Sequence, residues 1–93
     1  MDREEMSTAI RELIVERLRL QISPADIGVD QPLFGEGLGL DSIESLEIVV
    51  ALEEKFGIVV EDTEAVKESF YSVDTLTTFV LAGLEKRAAA ADA

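Results

Sequence analysis

Apolar residues recur at spacings of three and four in three stretches of this chain. Over about residues 4–19, Met6, Ile10, Leu13, Ile14 and Leu18 fall on one side of a helix, the pattern of an amphipathic element with one buried face. Arg17 and Arg19 in its last turn suit the negative end of the helix dipole. Ser23-Pro24 stops it, because the residue before a proline is pushed out of the helical region. A second stretch opens at Asp41-Ser42-Ile43-Glu44, which has the form of a capping box, and nothing as far as Phe56 breaks a helix. Ile43, Leu46, Val49, Val50 and Phe56 read as its inward stripe, widened by Ile48 and Leu52. Glu44, Glu47, Glu53 and Glu54 are expected to face outward, and Gly57 to close the helix. The third stretch follows Ser72, a helix cap, with Val73, Leu76, Phe79, Val80 and Leu84 in register. Between the last two, Ile58-Val59-Val60 reads as a buried connector, and residues 61–69 as a short helix with Val66 turned inward.

Residues 22–40 have no such period. Pro24, Gly28, Pro32, Gly35, Gly37 and Gly39 punctuate them, and Ile27, Val29, Leu33, Phe34 and Leu38 are scattered along the way. A connection of that length is uncommon in a small domain unless it serves a function. Its apolar side chains are expected to tack it across the bundle, with a short 3₁₀ turn near Asp26–Asp30. The sum is an all-α protein: a small four-helix bundle of three main helices and one short one, with a long first loop. Residues 1–87 form the single helical domain, and 88–93 are set apart as an alanine-rich tail, frayed or disordered.

Composition then removes most chemistries. The chain of 93 residues contains no Cys and no His, so it has no disulfide, no thiol nucleophile, and neither the common general base nor the common metal ligand. No apolar run approaches the length of a membrane span. The opening MDREEM lacks the apolar segment of a secretory signal, and a cytoplasmic monomer is expected. The net charge is −12, which repels nucleic acid and anionic lipid and favours basic protein surfaces. The charge is uneven. Residues 1–19 are nearly balanced, whereas residues 36–64 set Glu36, Asp41, Glu44, Glu47, Glu53, Glu54, Glu61, Asp62 and Glu64 against Lys55 alone. Acids of this number suggest calcium, but the spacing of an EF-hand loop is absent.

One hydroxyl occupies a distinctive place. Ser42 stands where the long loop meets the acidic helix, at a helix N-terminus that favours phosphate. A serine there is commonly a cap or a passive first-turn residue. As a catalytic nucleophile it has no activating base in the chain; as a substrate, modified by another protein, it needs none. Ser45, one turn further on, reads as an ordinary surface residue.

The run from Leu38 to Ile58 resembles the acyl carrier protein family. Residues 39–43, Gly-Leu-Asp-Ser-Ile, match that family's attachment motif Gly-x-Asp-Ser-(Leu or Ile) throughout. The continuation with an aliphatic stripe, Ala51-Leu52-Glu53-Glu54 and Phe56 is similar to the family's second helix, and the resemblance spans about residues 5–86. It implies that Ser42, with Asp41 beside it, receives a 4′-phosphopantetheine arm from coenzyme A through a magnesium-dependent phosphopantetheinyl transferase. The arm's thiol would carry acyl groups as thioesters between acyl-transfer and synthase enzymes of fatty-acid, lipid or polyketide-type biosynthesis. The chain itself would then be no enzyme. The resemblance also implies that Glu36, Asp41, Glu44, Glu47, Glu53 and Glu54 dock on basic patches, with Ile43 and Leu46 adding apolar contact. The aliphatic stripe, with Phe34, Val66 and Leu76, is expected to be core before it is an acyl pocket. Leu40, Ile43 and the lengthened stretch 67–72 depart from the fatty-acid pattern and leave the cargo open, an aminoacyl or peptidyl group included. The alternative of another class is an acidic helical adaptor with no prosthetic group.

Overall fold

In the computed structural model, the described residues are 2–34, 39, 42–61 and 64–92. They form α1 (Arg3–Leu18), a 3₁₀ turn (Pro24–Asp26), α2 (Ser42–Phe56), α3 (Glu64–Ser69) and α4 (Val73–Asp92), with no strand among them. The expected four-helix bundle with its long first connection is the observed fold.

α1 starts where local chemistry says it should. The Asp2 carboxylate accepts from the Glu5 amide at 2.8 Å, and the Glu5 carboxylate accepts from the Asp2 amide, so two otherwise orphaned donors are satisfied reciprocally. The helix ends at Arg19, whose φ of 52° places it in the left-handed region. Met6, Ile10, Leu13 and Ile14 are buried, as the periodicity predicts. α1 packs against both α2 and α4. Arg3 strengthens the second contact, donating to the Asp74 carboxylate at 2.7 Å and to Thr78 Oγ1 at 2.9 Å.

The described part of the long connection is tacked down by some of its apolar side chains, while Ile22 and Val29 stay exposed. Ile27 and Leu33 are fully buried. The Leu33 amide donates to the Tyr71 carbonyl, and the Asp74 amide, at the start of α4, donates to the Val29 carbonyl. The loop thus caps the helix it crosses. Its 3₁₀ turn lies at Pro24–Asp26 rather than at Asp26–Asp30, because Ser23 and Asp26 form a small capping box around a proline already set for the first helical position.

Three further expectations are corrected. The inward stripe of α2 is narrower than the one read from the sequence: Ile48, Leu52 and Phe56 are buried as expected, together with Ala51, and Val49 packs partly against the core, whereas Ile43, Leu46 and Val50 are 71%, 64% and 42% exposed. α2 carries two aliphatic stripes, and the one at spacing four, 48–52–56, is the one that meets α1 and α4. The connector after Gly57 is only partly buried, since Ile58 lies in the core while Val59 between two inward neighbours is 77% exposed. Ala88–Ala91, set apart as a tail, continue α4 as far as Asp92, in keeping with alanine's helix propensity and the absence of any breaker. The cap at Ser72 is as expected: its hydroxyl accepts from the Thr75 amide, and Thr75 Oγ1 accepts from the Ser72 amide at 2.9 Å.

Candidate functional site

Ser42 is the first residue of α2. Three residues before it, Gly39 has φ 73°, a left-handed turn that a residue with a Cβ resists. The motif glycine therefore has a physical role: it adopts a backbone conformation in the loop before α2 that other residues resist. The first-turn amides of an α-helix have no partner within the helix and carry the positive end of its dipole. A phosphate joined to a serine at this place meets donors and favourable charge, so the residues suit a phosphopantetheine ester. Asp41 and Glu36 lie outside the described residues, and so does the capping box centred on Asp41.

The acids expected beside the serine divide into two groups. Glu47 is exposed and Glu44 half-buried, both within the first two turns of α2. Glu53 and Glu54, near its other end, are engaged within the molecule. Glu53 accepts the Val60 amide at 3.2 Å, holding the connector against the end of α2. Glu54, though exposed, pairs with Arg17 of α1 at 3.0 Å, an ion pair on the surface that joins two helices.

The apolar part of the surface is larger than the sequence suggests. Ile43 and Leu46 are exposed, as a docking role requires, and Val50 joins them, at spacings of three and four, to form a ridge of three aliphatics. Periodicity alone puts Val50 in the core. The usable signal is the surplus itself, because α2 has more large apolar residues than one buried face can hold. Val66 and Phe34 are partly buried against the core and Leu76 is fully buried, so packing accounts for all three. Among the described residues no group of three or more carboxylates is placed to hold a metal ion, and no helix is long and apolar enough to cross a membrane.

Comparison with known proteins agrees with this geometry. The family model described as a phosphopantetheine attachment site matches residues 8–80. An acyl carrier protein of Campylobacter hominis is 37% identical over 82% of this chain and 90% of its own length. One of Exiguobacterium sibiricum is 34% identical over 86% of this chain and 95% of its own. The solved structure of KstB-PCP in its apo form superposes with a TM-score of 0.69 at 28% identity, covering 87% of this chain and 88% of that one. With the match extending from the second turn of α1 into α4, the chain belongs to the acyl carrier protein family, whose members carry phosphopantetheine and serve as substrates of partner enzymes rather than as enzymes.

Proposed function

We infer that Ser42 is the attachment serine, and that the chain carries acyl groups as thioesters on a 4′-phosphopantetheine arm between enzymes of fatty-acid, lipid or polyketide-type biosynthesis. The observation that carries this reading is the position of Ser42 as the first residue of α2, three residues after the left-handed glycine of the family motif. In the transfer, the serine oxygen forms a phosphodiester with the pantetheine phosphate of coenzyme A, and the nucleotide half leaves. The proton lost by the hydroxyl goes to a base on the transferase, since this chain has no His to take it. The sulfur that does the chemistry belongs to the cofactor, consistent with a chain that has no Cys.

Partners dock on the outer face of α2 near the serine, over Ile43, Leu46, Val50, Glu44 and Glu47. The internal bonds of Glu53 and Glu54 make that end of the helix structural first, so the contact is a short apolar ridge flanked by two acids. Such an interface is small and partly electrostatic, which suits a shuttle that must bind and leave quickly. The cargo reading has one runner-up with an observation behind it: the likeness to KstB-PCP supports an aminoacyl or peptidyl group on the same arm.

Co-expression with a phosphopantetheinyl transferase is expected to add the mass of one arm to the intact protein. Ser42→Ala is expected to abolish the addition and Ser45→Ala to leave it. A folded chain that stays unmodified with several competent transferases defeats the assignment. Intact mass of the protein from its own host distinguishes acyl from aminoacyl cargo.

A further inference from the structure

We propose that the groove between α1 and α2 receives an arginine or lysine side chain presented by the enzyme that lies over α2, and this rests on α2 being the docking helix. Glu12 and Glu16 of α1 and Glu54 of α2 stand along the groove, and Ala9, Leu13 and Ala51 line it between them. Leu13 and Ala51 are buried and Ala9 half-buried, so these three form the floor. Two alanines facing each other leave room that longer side chains would fill.

An apolar floor between carboxylates fits a side chain with an aliphatic stem and a cationic head. The groove's own cations leave that place open. Arg17 is committed to Glu54 at 3.0 Å, and Lys55, the other lining cation, is exposed to solvent. Glu12 and Glu16 form no ion pair among the described residues. They stand one turn apart on α1, where like charges repel, and a cation placed between them relieves that repulsion. The groove also continues from the exposed face of α2: Glu54 and Ala51 line it, and Glu47 and Val50 beside them are exposed. A partner seated on Ile43, Leu46 and Val50 has the groove within a side chain's reach.

The test is a titration of the ¹⁵N-labelled full chain with an amphipathic helical peptide bearing arginines on one face and leucines on the other. The amides of Glu12, Leu13 and Glu16 are expected to shift together with those of Ile43 and Leu46. Glu12→Gln with Glu16→Gln is expected to weaken binding about fivefold and to remove the α1 shifts, because the bound arginine then has neither exposed carboxylate to pair with. Glu68→Gln with Glu85→Gln, which removes the same charge from exposed positions on α3 and α4, serves as control and is expected to weaken binding less than about twofold. Absence of peptide binding, shifts confined to α2, α1 shifts that persist without the two carboxylates, or equal weakening by both double variants would each overturn the proposal. Arm attachment at Ser42 is read separately by mass, so a failed groove and a failed carrier assignment give different results.

Discussion

α1 and α2 are nearly equal in length, 16 and 15 residues, yet they use their apolar residues in different ways. α1 has one stripe, in which Met6, Ile10, Leu13 and Ile14 are buried and Leu18 packs partly buried against the core. α2 has two. Its stripe of Ile48, Leu52 and Phe56 is packed in the bundle, while Ile43, Leu46 and Val50 remain in solvent. Solvent-exposed aliphatics scattered singly need no explanation, but three in register on the helix that begins with the candidate attachment serine do. The contrast teaches that α1 commits its apolar residues to the core, whereas α2 serves the core with one side and leaves three aliphatics in solvent on the other.

The sharpest way to break this comparison is to truncate one residue from each stripe of α2. Leu52→Ala is expected to cost about 2–5 kcal/mol, because Leu52 is fully buried and leaves a cavity. Leu46→Ala is expected to stay within about 0.5 kcal/mol of the parent. Urea unfolding measures both, and equal losses would mean that Leu46 packs within the fold. Next in size is Gly57→Ala. Gly57 has φ 66°, and an added Cβ would lie 3.2 Å from Arg87 Cζ; the left-handed conformation alone costs a residue with a side chain about 1–2 kcal/mol. A melting temperature unchanged by this substitution would show that α2 is not closed by a left-handed residue. A change in α1 has the opposite sign. Ser7 is buried, and its hydroxyl has no hydrogen-bond partner among the described residues. Ser7→Ala is expected to raise stability by about 1 kcal/mol, through relief of an unsatisfied polar group and a gain in helix propensity. A loss of stability in urea would show a place in the α1 face that is not purely apolar.

Local signals account for what is legible in the sequence. The α1 stripe, the cap at Ser72 and the close of α2 at Gly57 each depend on a few neighbouring residues and stand in the fold, whereas α1 stops at Leu18, ahead of Ser23-Pro24, with Arg19 in the left-handed region. The 3₁₀ turn starts two residues earlier than the loop's composition suggests, because the small capping box of Ser23 and Asp26 sets its place. The site is legible to the extent that it is a motif: Gly39 to Ile43 locate the candidate serine, and the fold places that serine first in α2. The roles of Glu53 and Glu54 are not legible. Nothing adjacent in the sequence says that one will hold the Val60 amide and the other Arg17, 37 positions away.

The amino-acid order by itself determined that this protein is helical, where α1 and α2 begin and end within a residue or two, and which serine opens the acidic helix, since caps, breakers and periodicity act over single turns. Only the packing of α2 against α1 and α4 decided which of its two aliphatic stripes is core and which faces solvent. Both stripes bury well in principle. The choice lies in the orientation of three helices about one another, a property of contacts far apart in the chain.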